Sequence, residues 1–230
     1  MNNFINSSSY FGVVITLCLY FLSLKLKKKI KHPLFNPLLI TILLVILILL
    51  IFNISYDSYY QSAKYISYLL TPATIALALS LYEQLDKLKE NYLAIIVGIF
   101  SGVISSMTSI FLLSKLFKLN KAEFVTLLPK SITTAIGMSV SEELGGYVSI
   151  TVAAIIITGI AGSIFSEILL KLFGIKNAIA KGVAIGTTSH AIGTSKAMQI
   201  GKIEGAISSL SIVVAGLLTV ILAGIIAGLY

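Results

Sequence analysis

Two polar, glycine-punctuated stretches hold the side chains best suited to chemistry in an otherwise apolar chain. Residues 186–196 read GTTSHAIGTSK and bring together Thr187, Thr188, Ser189, His190, Thr194, Ser195 and Lys196, with Gly186 and Gly193 between them. Residues 127–146 read LLPKSITTAIGMSVSEELGG and supply Lys130, Ser131, Thr133, Thr134 and Gly137. These residue types suit non-covalent recognition of a small anion, which needs a cation and several neutral donors. Hydroxyls are such donors, and the unpaired N–H groups that open a half-helix add more at the positive end of its dipole. Lys130, between Pro129 and Ser131, is the candidate cation. Ser131, Thr133, Thr134, Thr187, Thr188, Ser189 and Thr194 are the candidate donors. His190 would pair with the anion or carry a coupled proton, because its charge changes near physiological pH. Gly186 and Gly193 allow close backbone approach.

Each assignment has a plainer alternative. Lys130 would snorkel to an interface, the hydroxyls would cap helices, His190 would be a satisfied core residue, and Lys196 would reach the membrane surface. Other polar residues read as structural. Glu142 and Glu143, beside Gly145 and Gly146, look like a solvated helix end. Glu167 precedes Lys171 by four residues, the favourable order for a helical ion pair. His32 sits in a lysine-rich loop. The single cysteine, Cys18, encodes neither a disulfide nor a zinc site. No HExxH or GxSxG motif is present, and adjacent Ser189 and His190 point apart on any regular backbone. No enzymatic activity, metal or cofactor is expected. If transport is ion-driven, H+ or Na+ is the coupling ion.

The elements that must position these residues are membrane spans. The 230-residue chain is 57% hydrophobic and only 11% charged, against roughly 25% charged in soluble domains. Its mean hydropathy is +0.99. The net charge of +8 comes from lysine alone. Those lysines flank apolar runs, as topology signals do, which argues against nucleic-acid binding. Residues 1–9 carry no positive charge before the first apolar run, so that run is expected to be a retained span and not a cleaved leader. Spans are expected at residues 10–24, 38–52, 62–82, 92–113, 148–173 and 203–229. The first ends in Lys25, Lys27, Lys28, Lys29 and Lys31, and Pro33 and Pro37 then lead into the second, whose Leu and Ile face lipid. Tyr56, Tyr59 and Tyr60 suit an interface. The third should kink or break at Thr71-Pro72, and residues 83–90 should form a solvated loop. In the fourth, Gly98, Ser101, Gly102 and Ser105 form a small-residue packing face, as do Gly159 and Gly162 in the fifth.

An echo links the two polar stretches: AIG recurs at 135–137 and 191–193, each time followed by a long apolar span. Residues 131–173 and 187–229 thus read as two copies of one unit. Lysine placement bears on topology. If both stretches dip in and return, the 25–31 cluster, Lys87, Lys89, Lys171, Lys176, Lys181 and Lys202 share one side, opposite Lys64, Lys115, Lys118 and Lys121. If both cross, Lys171, Lys176 and Lys181 change sides and the asymmetry vanishes. The positive-inside rule prefers re-entrant hairpins. Ten helical residues span about 15 Å, half the hydrocarbon core, so each hairpin would reach the midplane. The expected fold is an all-α polytopic membrane protein of about six transmembrane helices plus two re-entrant hairpins or broken helices, with an inverted-repeat, transporter-like plan. It forms one integral domain, 1–230, with 1–60 peripheral and 61–230 as core.

Several segments together resemble one family. LLPKSITTAIGM, SEELGG, GVAIGTTSHAIGTSKAM, EGAISSL, NPLLI at 36–40 and LLTPATIALALSLY at 69–82 are similar to the LrgB/CidB family of bacterial membrane proteins, over about residues 36–218. The resemblance implies a multi-pass protein of the bacterial plasma membrane. It implies an antiholin-like role with a small LrgA/CidA-type membrane partner in lysis and murein hydrolase control. Plastid relatives that move glycolate and glycerate, and bacterial relatives tied to pyruvate, imply monocarboxylate transport instead. A homodimer is compatible with the small-residue faces. Polar segments at membrane depth favour the transport expectation, since a purely structural partner would not need them.

Overall fold

The computed structural model describes residues 10–30 and 35–230, with the side chains of Leu70, Thr74, Leu77, Ser80, Leu81 and Lys87 outside that description. Residues 1–9 and 31–34, Lys31, His32 and Pro33 among them, lie outside the described residues. Among the described residues all regular structure is helical. The chain divides into two compact units, Met1–Ala76 and Leu77–Tyr230.

The first unit holds α1 (Phe11–Lys29), α2 (Pro37–Ile51) and α3 (Tyr56–Ala63). Pro37 opens α2 behind an Asn36 cap whose side chain accepts from Leu38 N–H and Leu39 N–H, as a first-turn proline allows. Only Pro37, Thr41 and Val45 of α2 are buried, and Thr41 Oγ1 donates to Ser23 Oγ of α1 at 3.2 Å. The other Leu and Ile side chains stay largely outward, as a lipid-facing helix requires. Fifteen residues span about 22 Å, short of a roughly 30 Å hydrocarbon core. Gly12 lets α1 meet α3: a Cβ there would lie 2.6 Å from Ala63 N. Tyr59, expected at an interface, instead bonds Thr16 through its hydroxyl at 2.7 Å; Tyr56 and Tyr60 are exposed.

The expected kink at Thr71-Pro72 is displaced. A 3-10 stretch, Lys64–Leu69, precedes α4 (Leu70–Tyr82). Pro72 falls in the first turn of α4, where its missing N–H is no loss, so the interruption lies before the proline. Residues 83–90 are not all loop: α5 (Leu85–Glu90) is a short helix.

The second unit continues with α6 (Tyr92–Leu116), α7 (Lys121–Leu127), α8 (Thr134–Glu143), α9 (Val148–Leu172), α10 (Ala178–Ile200) and α11 (Lys202–Leu229). Among the described residues α6, α9 and α11 are long and apolar enough to cross a membrane. Ile95, Ile99, Val103, Met107 and Ile110 form the buried stripe of α6, at the spacing of one helical face. Gly98 and Gly102 carry the close approach of α6 to α10: a Cβ on either would come 3.2 Å from Val183 Cγ1 or 3.1 Å from Thr187 Oγ1. Ser101 and Ser105 are exposed. The expected four-residue packing face therefore narrows to the two glycines.

Both polar stretches reverse the chain. α7 runs inward to residues 128–133, α8 runs back, and Tyr147 N–H then donates to Thr126 Oγ1 at 2.7 Å. Thr151 Oγ1 ties this return together through Thr126 O (2.8 Å) and Ser141 Oγ (2.6 Å). α10 breaks at His190, whose φ of 40° and ψ of −142° are non-helical. Residues 178–189 run alongside α11: Gly182 meets Glu204 and Ile207, and Gly186 meets Ser208 and Ser211. Residues 191–200 run the opposite way, with Thr194 on Ser208 and Met198 on Gly205. The two reversals enter from opposite ends of α11. Phe124 of α7 stacks on Tyr230, just past the end of α11, at 4.2 Å between ring centroids, whereas the α10 reversal begins and ends beside the start of α11.

Candidate functional site

The tip of the first reversal is residues 128–133, and it places Ser131 against the middle of α6, with Lys130 beside it. Lys130 Nζ donates to Ser131 Oγ at 3.2 Å, and Ser131 Oγ shares a second bond with Ser106 Oγ at 3.2 Å. Lys130 is half-buried. Among the described residues the ion pairs are Lys196–Glu167 at 2.5 Å and Lys181–Glu204 at 4.0 Å, and neither involves Lys130. An ammonium held by a single hydroxyl is costly in lipid.

Ser131 also faces a small closed space lined by Val103, Ser106, Met107, Leu128, Ile132, Thr187, Ala215 and Thr219. Its volume is about 10 Å³, close to the least that holds one water. The lining joins α6, the first tip, α10 and α11. One candidate from each polar stretch, Ser131 and Thr187, therefore meets the other across it. In this conformation the space is too small for a three-carbon carboxylate.

The remaining candidates do not line this space. Thr133 stands at the N-cap position of α8 but makes no side-chain capping bond, and Thr134 opens that helix half-buried. Thr188 is exposed; its hydroxyl donates to Ala184 O at 2.7 Å and contacts Ser189 Oγ at 3.1 Å. Ser189 is buried against Gly162 of α9, which has no room for a Cβ. His190 is buried, and its Nε2 lies 2.9 Å from Ile155 O. A carbonyl only accepts, so Nε2 carries a proton. A Cβ on Gly193 would lie 2.4 Å from Ser189 Cβ and 3.0 Å from Ile185 Cγ2. Thr194 bonds Ser208 Oγ at 2.6 Å. Lys196 is held by Glu167; the ion-pair partner of Glu167 is thus on the next helix and not the expected Lys171. The helices offer a reason: α9 and α10 pack closely through Gly159 and Gly162, which brings the two side chains within reach. Glu142 and Glu143 are exposed at the end of α8, as expected.

Ser106 and Thr219 line the space and were not singled out from the sequence. Both are single hydroxyls inside long apolar helices, and nothing in their spacing distinguishes them from the back-bonded Ser and Thr common in such helices.

A family model described as "LrgB-like family" matches residues 16–229. The chain is 38% identical over 215 residues to "Antiholin-like protein LrgB" of Bacillus subtilis (strain 168), covering 93% of each chain. It is 37% identical over 210 residues to "Holin-like protein CidB" of Staphylococcus epidermidis (strain ATCC 12228 / FDA PCI 1200), covering 91% of this chain and 92% of that one. No solved structure matches.

Proposed function

The chain belongs to the LrgB-like family, and from that premise we propose that it is a secondary transporter of a small monocarboxylate, pyruvate-, lactate- or glycolate-like, in the bacterial plasma membrane. One observation carries this reading: Lys130 has no ion-pair partner among the described residues and leans on Ser131, at the wall of a space that Thr187 of the other reversal also lines. A carboxylate would take the Lys130 charge and the Ser131 and Ser106 hydroxyls. The one-water volume fits an occluded state, so passage requires one reversal to move relative to the other. Residues 131–173 and 187–229 act as inverted copies, each a reversal followed by a full span, the plan on which many secondary transporters alternate access. His190 and the hydroxyls of Thr187, Thr188, Ser189 and Thr194 belong to the second copy, and His190 is the candidate carrier for a coupled proton, with Na+ as the other coupling ion.

A second reading is favoured by the names of the relatives, which are holin-like and antiholin-like. In it the chain regulates murein hydrolase activity and cell lysis together with a small LrgA/CidA-type membrane protein, as a dimer or larger assembly. The two readings are compatible, because carboxylate flux could itself underlie a lysis phenotype.

Purified chain in liposomes tests the first reading. Saturable uptake of labelled pyruvate, lactate or glycolate under an inward proton or sodium gradient, lost in Lys130→Ala and His190→Ala, is the expected result. No uptake by folded protein, alone or co-reconstituted with the small partner, would overturn it in favour of lysis control.

A further inference from the structure

A second cavity, distinct from the closed space at the tips, opens where α9 ends and α10 begins. Its volume is about 460 Å³, and Lys171, Lys176, Lys181 and Glu167 face it over a floor of Leu170, Ile175 and Ile200. Glu167 is bound to Lys196, and Lys181 stands 4.0 Å from Glu204. Lys171 and Lys176 are exposed, and among the described residues neither forms an ion pair. The cavity is therefore cationic at its rim and apolar at its base.

Its depth identifies what fills it. Residue 160 is the centre of α9. Lys171 lies eleven residues on, roughly 16 Å along the axis, at the edge of a roughly 30 Å hydrocarbon core. Lys176, beyond the helix end, stands at headgroup level. Next to the cavity, Leu169, Leu172 and Phe173 are exposed, on the surface that acyl chains would cover. We propose that this cavity binds the headgroup of an anionic phospholipid, with its phosphate between Lys171, Lys176 and Lys181 and its acyl chains along the end of α9. Basic pockets between membrane helices hold such headgroups. The inference rests on α9 crossing the bilayer and not on carboxylate transport, so the two can fail separately.

The test is native mass spectrometry of the full chain after reconstitution in mixed phosphatidylglycerol and phosphatidylcholine vesicles. Wild type should retain phosphatidylglycerol in preference to phosphatidylcholine. At roughly fivefold per lysine, Lys171→Gln with Lys176→Gln should lower that preference by up to about twenty-fivefold. Lys171→Arg with Lys176→Arg should restore it. The control pair Lys118→Gln with Lys121→Gln, at the opposite end of the bundle, should leave it unchanged. Equal loss in the control pair, or no loss in the Gln pair, would overturn the proposal. Displacement of the retained lipid by inorganic phosphate would also overturn it, since a soluble anion would then be the occupant.

Discussion

Thr187 donates its hydroxyl proton to Val183 O within its own helix at 2.7 Å, so the closed space meets its oxygen and methyl. That bond is local and adds little to stability. Thr187→Val keeps the shape and removes only the oxygen. Its expected effects are a thermal midpoint shift equivalent to less than about 0.5 kcal/mol and an uptake rate reduced by about tenfold, as for a lost transition-state interaction near 1.4 kcal/mol. Thr187→Ser should keep the rate; a Thr187→Val protein with wild-type uptake would remove this residue from the site. Ser131→Ala behaves differently, because it takes away the oxygen that Lys130 holds. A hydrogen bond to a charged group is worth about 1.5–3 kcal/mol, so this variant should lose both stability and uptake, read by thermal melting and by flux. His190 has φ of 40°, a conformation that favours glycine and costs about 1–3 kcal/mol in other residues. The reversal is thus made at a strained histidine fastened by Ile155 O, and not at either flanking glycine. Lys130, Ser131 and Thr187 were legible in the sequence because charge and clustered hydroxyls stand out in an apolar chain. Ser106 and Thr219 were not, because which face of a helix meets a cavity depends on packing that local sequence does not encode.

At the scale of elements, the reversals hold because glycines on neighbouring helices clear space for them. Gly162 of α9 faces Ser189, a Cβ on Gly159 would lie 2.7 Å from the His190 ring, and Gly186 itself brings α10 against Ser208 of α11. Gly162→Val should therefore overpack the second tip and lower stability by about 1–3 kcal/mol, measured by thermal melting in detergent. Gly224→Val, where a Cβ meets nothing within 4 Å, serves as the control and should change little. The long apolar helices α6, α9 and α11 were readable from hydropathy to within a few residues at their ends, and lysine placement favoured reversal over crossing. The interruption near Pro72 was misplaced because a proline marks where a helix interior is forbidden, not which side of it the break takes. The Glu167–Lys196 pair was missed for a related reason: helical spacing sees partners on one helix and not those delivered by a close helix crossing.

At the scale of the whole molecule, the ends of the second unit differ in chemistry. At one end Phe111, Phe124 and Tyr230 form an aromatic cluster with Lys115 4.2 Å above the Tyr230 ring. The other end carries Lys171, Lys176, Lys181 and Lys202 and should face the cytoplasm. In a Cys18→Ser background, Lys118→Cys and Glu143→Cys should react with an impermeant maleimide from one side of the membrane, and Lys176→Cys and Lys202→Cys from the other. Residues 118 and 143 reacting from opposite sides would mean that the first polar stretch crosses. The central claim is that the two polar stretches meet in one space through which the substrate passes. Ser131→Cys with Thr187→Cys, in the same background, joined by a short bifunctional thiol reagent, tests it most directly in the liposome assay. The account predicts an intramolecular cross-link that abolishes carboxylate uptake, with uptake returning when the link is cleaved. Two thiols that react singly but never link, or a linked protein that transports at the unlinked rate, would contradict it.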